Sequence, residues 1–152
     1  MNATSPPHPS RLALVWRLLS LVPLPFVLGL VLLQSGRLGG LTVPAAPPSP
    51  QGAGLLGALF LASLVFACFL WASGRGLRIA GYAGYAIMLS LDAGAATVLG
   101  ILAWQGGLGG EGPASGSAVV FLSTSFLAAV VGILVVLAAF VSDVRGPASR
   151  RG

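Results

Sequence analysis

Four stretches of this chain, at about 12–33, 54–72, 79–104 and 118–141, stay apolar for the width of a bilayer. A hydrocarbon core about 30 Å thick is crossed by about 20 apolar residues at 1.5 Å of rise each. None of the four carries a polar run that would break a span. Inside hydrocarbon, backbone N–H and C=O groups have to be satisfied within the segment, which makes each stretch a helix. The predicted fold is therefore all-α, an integral membrane four-helix bundle. Composition agrees. Of the 152 residues, 56% are hydrophobic and 7% charged, where a soluble domain carries about 25% charged residues. A water-soluble fold of this size cannot hide so much apolar surface.

The expected organisation follows from where the apolar pattern stops. Residues 1–10, rich in Pro and polar side chains, read as a disordered N-terminus. Residues 11–143 form the transmembrane domain, and 144–152 form a basic C-terminal tail. The first apolar stretch is long enough to span and does not resemble a cleavable signal, so it is expected to act as an uncleaved anchor. The first loop, 34–53, contains Pro44, Pro47, Pro48 and Pro50 and is expected to be extended and solvated. The second, 73–78, is a tight turn that makes helices two and three an antiparallel hairpin. The third, 105–117, is mostly Gly, Ala and Ser around Glu111. Pro23 and Pro25 remove backbone donors from the first helix, so a kink is expected there.

Arginine placement sets the expected orientation. With both termini on one side, that side holds Arg11, Arg17, Arg75, Arg78, Arg145, Arg150 and Arg151, and the other holds only Arg37. Basic residues concentrate on cytoplasmic loops, so both termini are expected to be cytoplasmic. The acceptor pattern Asn2-Ala3-Thr4 would then never meet glycosylation. Trp16, Trp71, Tyr82 and Tyr85 fall near the inner boundary and Trp104 near the outer one, as aromatic belts do. The net charge of +5 is explained by topology; nucleic acid is not an expected partner. Lipid bilayer is, together with further copies of the chain or other membrane proteins.

Two charges fall inside apolar segments. Asp92 lies in Leu91-Asp92-Ala93-Gly94-Ala95-Ala96, and Arg17 lies between Trp16 and Leu18. An ionisable group at membrane depth costs roughly 2.5–3.5 kcal/mol on insertion scales and usually has a partner or a task. Both helices run outward from the same side, so Arg17 reaching inward toward Asp92 gives an intramembrane charge pair. The competing readings are an Arg17 that snorkels to headgroups beside a solitary Asp92, and a proton or ion pathway through Asp92. Polar company for such a pathway is thin: Ser90, Thr97, Ser123, Thr124 and Ser125. Small residues on the third helix, Gly81, Gly84, Gly94, Ala96 and Gly100, are the candidate helix-packing positions, since they allow close backbone approach. Cys68 is the only cysteine and reads as a small buried hydrophobe. The only histidine, His8, lies in the N-terminal segment, so neither a Ser-His-Asp arrangement nor a metal or other cofactor site is expected.

Arg17-Leu18-Leu19-Ser20-Leu21 in the first helix, Leu91-Asp92-Ala93-Gly94-Ala95-Ala96 in the third and the short basic tail resemble the MARVEL-type tetraspan superfamily, including its fungal members and the plant Casparian-strip-like proteins. The resemblance implies four helices with cytoplasmic termini. It also implies a basic residue of helix one paired with an acidic residue of helix three, here Arg17 and Asp92. The chain departs from the pattern in having no cysteine pair in its outer loops. The expected function is a non-enzymatic tetraspan that organises membrane domains or trafficking by lateral helix association. The alternatives are a small accessory subunit of a larger membrane complex and a transporter component using Asp92.

Overall fold

The structure is a computed structural model that describes residues 11–38, 41, 43, 46–109 and 113–145. The expectations for 1–10, for Glu111 and for the tail beyond Arg145 fall outside these. The described elements are α1 (Arg11–Leu19), α2 (Leu24–Gln34), α3 (Pro50–Phe69), α4 (Arg75–Gly109) and α5 (Pro113–Arg145). Among the described residues there is no strand. Four apolar stretches of helix, Leu14–Gln34, Pro50–Phe69, Arg75–Gln105 and Gly116–Val144, are long and apolar enough to cross a membrane.

The first of these is interrupted. Pro23 and Pro25 have no N–H to offer to Leu19 and Leu21, and the chain answers by tightening. Val22 N–H donates to Leu19 (3.2 Å) and Leu24 N–H to Leu21 (3.1 Å), a three-residue spacing. This separates α1 from α2 by the turn Ser20–Pro23, where a single kinked helix was the expectation. Proline is well placed at the start of α2, where an N–H would have no intrahelical acceptor.

The first loop also differs from expectation. Rather than extending into solvent, its described residues fold back over the bundle, while Pro44 lies outside the described residues. Gly36 turns the chain with φ +70°, a conformation that costs glycine little. Gln34 then ties the loop: its side-chain amide donates to Pro47 O (3.2 Å) and Ser49 Oγ (3.3 Å), and its carbonyl accepts from Ser49 N–H (3.1 Å). Val43 is buried as a result, and Leu38, Leu41 and Ala46 pack beside it. Ser49 caps α3 by accepting from Gly52 N–H at 3.0 Å, with Pro50 in the first turn. That cap starts α3 four residues before the apolar pattern does.

The core has two parts along the bundle. One, toward the α2–α3 loop, contains Leu30, Leu33, Leu56, Ala96, Ala103 and Leu122. The other, toward the α3–α4 turn, contains Ala67, Leu70, Tyr82, Tyr85, Leu89 and Val136. Between them in sequence lie the buried polar residues Ser63 of α3, Asp92 of α4 and Ser125 of α5. Outward, large apolar side chains such as Leu61, Val65, Ile87, Leu91, Val98, Leu127 and Leu134 are exposed along the helices. An apolar exterior of this extent is larger than monomeric soluble proteins usually present to water.

Candidate functional site

Asp92 is the middle residue of α4 and is 1% exposed. Its Oδ2 accepts a hydrogen bond of 3.3 Å from Ser63 Oγ of α3, and Ser63 is fully buried. Its Oδ1 is buried among atoms that offer it no donor. Asp92 and Ser63 therefore form a polar contact between α3 and α4 at mid-bundle, with apolar core on either side. In such surroundings an unmade hydrogen bond is costly, so the Ser63–Asp92 bond fixes how the two helices register.

Arg17 is not Asp92's partner. It approaches Asp143 near the end of α5, with Nη2 at 3.7 Å from Oδ1. Arg78, in the first turn of α4, donates from Nε to the other oxygen of the same carboxylate at 2.9 Å. Its Nη1 also donates to the carbonyls of Ala72 (3.2 Å) and Ser73 (3.1 Å). Arg17 and Arg78 thus share one carboxylate at one end of the bundle, where the last turn of α1, the first turn of α4 and the last turn of α5 meet. The physical reason for the correction is depth. Arg17 stands level with Arg78, which lies fourteen residues before Asp92 on α4, about 21 Å at 1.5 Å per residue. The charge pairing implied by the tetraspan resemblance is accordingly not formed.

A third polar contact explains how the break after α1 is tolerated. Leu24 N–H is taken by Leu21, which leaves the Ser20 carbonyl without its helical donor. Tyr85 of α4 supplies one, its hydroxyl donating to Ser20 O at 2.7 Å. Ser20 and Tyr85 are both fully buried. Pro23, also buried, presses its ring onto Gly132 of α5, where a Cβ would stand 2.3 Å from Pro23 Cγ. Tyr85, read from the sequence as a boundary aromatic, is a core residue that satisfies a broken helix.

The remaining polar candidates turn toward their own helices. Ser90, Thr97, Thr124 and Ser125 each donate to the carbonyl four residues earlier at 2.8–2.9 Å. Ser123 instead lines an open groove of about 440 Å³ between α4 and α5, together with Thr97, Gly100, Trp104, Gln105 and Phe126. None of the five is bonded to Asp92.

The small residues of α4 divide. At Gly81 an added Cβ would meet Phe69 Cβ at 2.9 Å and backbone of Phe69 and Leu70 at 3.1 and 3.2 Å. At Gly84 it would enter the Phe66 ring at 2.3 Å. These two glycines let α4 approach the end of α3. Ala96 is buried in the core, and Gly100 has only an ordinary contact with Leu122 at 3.8 Å. At Gly94, which is exposed, an added Cβ would meet nothing within 4 Å, so no neighbouring helix of this chain requires a glycine there. Cys68 is exposed on α3, where a buried position was expected. Among the described residues no group of His, Cys, Asp or Glu is gathered for a metal. No family model matches the chain, and comparison with curated proteins and with solved structures gives no match either.

Proposed function

We propose that this protein is a non-enzymatic membrane tetraspan that acts through its outer helix faces, associating laterally with copies of itself or with other membrane proteins. The observation that carries the reading is the division of labour among its side chains. Polar groups are committed to holding helices together: Ser63 to Asp92 and Tyr85 to Ser20 inside the bundle, Arg78 to Asp143 at its end. Outside, four helices of membrane-crossing length present apolar surface. In a bilayer, association between such surfaces depends on close packing and on small residues. On α4 the exposed positions Ile87, Leu91, Gly94, Val98 and Ile101 recur at helical spacing, with Gly94 unobstructed.

A relay through Asp92 is less well supported, because its hydrogen-bonded neighbour is a single serine and the nearby hydroxyls are bonded to their own helices. An accessory-subunit role uses the same faces and differs only in the partner. The test is association in mild detergent or lipid nanodiscs, read by cross-linking and native mass spectrometry. The expected result is a dimer or higher assembly, reduced in Gly94→Leu while that variant keeps its helix content and unfolding temperature. A wild-type protein that stays strictly monomeric and co-purifies with no membrane partner would overturn the reading.

A further inference from the structure

We propose that the arginine-rich end of the bundle binds the phosphate of an anionic phospholipid headgroup, with Arg17 as its main contact. The proposal rests on the membrane reading above. A guanidinium carries five N–H donors and stays charged. Arg78 uses its donors well: Asp143 takes Nε, and two carbonyls take Nη1. Arg17 does not. Its side chain is 13% exposed, its Nε is buried without an acceptor, and its contact with Asp143 at 3.7 Å is too long for a hydrogen bond. Besides Asp143, its close polar neighbour is the hydroxyl of Tyr82 on α4, a neutral group that offsets none of its charge. The shared carboxylate is also outnumbered, since two guanidiniums face one Asp143 and leave a positive charge uncompensated.

Further positive charge stands near. Arg75 is exposed at the start of α4, three residues and so about one turn before Arg78. The cluster also sits beside Trp16 and the exposed Trp71, side chains that favour the level of headgroups. A phosphate oxygen supplies what neither the neutral Tyr82 hydroxyl nor the shared Asp143 gives Arg17 in full, an acceptor with compensating charge, and guanidinium–phosphate pairing is geometrically favourable. The opposite end offers no such arrangement among the described residues: Arg37 is solitary and exposed.

The test uses full-length protein in mixed micelles with equal amounts of phosphatidylglycerol and phosphatidylcholine of the same acyl chains, read by native mass spectrometry. Wild type is expected to retain phosphatidylglycerol over phosphatidylcholine by about fivefold, the size of one arginine contact near a charged surface. Arg17→Gln brings the two toward parity, and the exposed Arg75→Gln, whose folding is not in question, lowers the excess in part. Asp143→Asn raises it, since the competing carboxylate is gone; a purely structural role for the cluster predicts no increase. Arg37→Gln leaves it unchanged. Equal retention of the two lipids by wild type overturns the proposal, as does an equal loss in Arg37→Gln and Arg17→Gln. Displacement of the lipid by millimolar inorganic phosphate would assign the site to soluble phosphate instead. Extraction of the protein from membranes by alkaline carbonate counts against the membrane reading itself, whereas a carbonate-resistant protein without lipid preference counts against this inference alone.

Discussion

Asp92 and Ser63 meet where, among the described residues, neither has another bonded side-chain partner, and that makes their contact measurable by subtraction. Removing the hydroxyl alone strands a buried carboxyl group; the cost of leaving such a group unmade is about 1–3 kcal/mol. Replacing both partners by apolar side chains is often close to neutral. We therefore expect Ser63→Ala to lower the unfolding free energy in detergent by about that amount, and Ser63→Ala with Asp92→Leu to lose less than the two single changes summed. Additive losses in this cycle would show that the 3.3 Å bond couples nothing. Asp92 was legible in the sequence as the residue to watch, because a lone acid in an apolar segment has few innocent explanations. Ser63 was not, since a single serine between Ala62 and Leu64 looks like any small residue of an apolar run. Arg17 was legible as a charge in need of a partner, but the partner was misassigned. Asp143 sits at a helix end, where acids are ordinary, and only the arrangement of α1, α4 and α5 brings it to both arginines.

The break between α1 and α2 shows the same limit for whole elements. Pro23 and Pro25 announce a disturbance, and the local consequence, a tightened turn, follows from the two missing donors. What makes the turn tolerable is distant in sequence: Tyr85 reaches the Ser20 carbonyl from 65 residues away, and Gly132 clears room for the Pro23 ring. We expect Tyr85→Phe to destabilise the bundle by about 1–3 kcal/mol, since it leaves a buried carbonyl without a donor. Hydrogen exchange should locate the loss at 17–24; protection there equal to wild type would refute the assignment. Gly132→Ala should cost about 1–3 kcal/mol by overpacking, because the group it meets is a ring that cannot rotate away. The glycines of α4 give a matched control. Gly81→Ala forces backbone of α3 to shift and should destabilise, whereas Gly94→Ala meets nothing and should be neutral or slightly stabilising through helix propensity. Sequence spacing alone grouped these glycines together, because a helix repeat says which residues share a side but not which side faces a neighbour.

At the scale of the molecule, the number of membrane-length helices was readable in the sequence, because hydrocarbon admits so few backbone solutions. The packed first loop was not, since its tie depends on Gln34, Pro47 and Ser49 meeting across a turn. The shared carboxylate of Asp143 adds a constraint on topology: the last turn of α1, the beginning of α4 and the end of α5 lie at the same end of the bundle as the α3–α4 turn. If the helices cross a bilayer, Ser73 and Ser35 then stand on opposite sides, and both are exposed. The arginine bias predicts Ser73 in the cytoplasm and Ser35 outside. Single cysteines at these positions, in a Cys68→Ser background, test both statements with a membrane-impermeant maleimide. The cysteine of Ser35→Cys should be labelled in intact cells, and that of Ser73→Cys only after the membrane is opened. Reversed labelling would keep the four-span topology and overturn the orientation. Labelling of both in intact cells would put the α2–α3 loop and the α3–α4 turn on one side, which a spanning α3 of 20 residues does not permit.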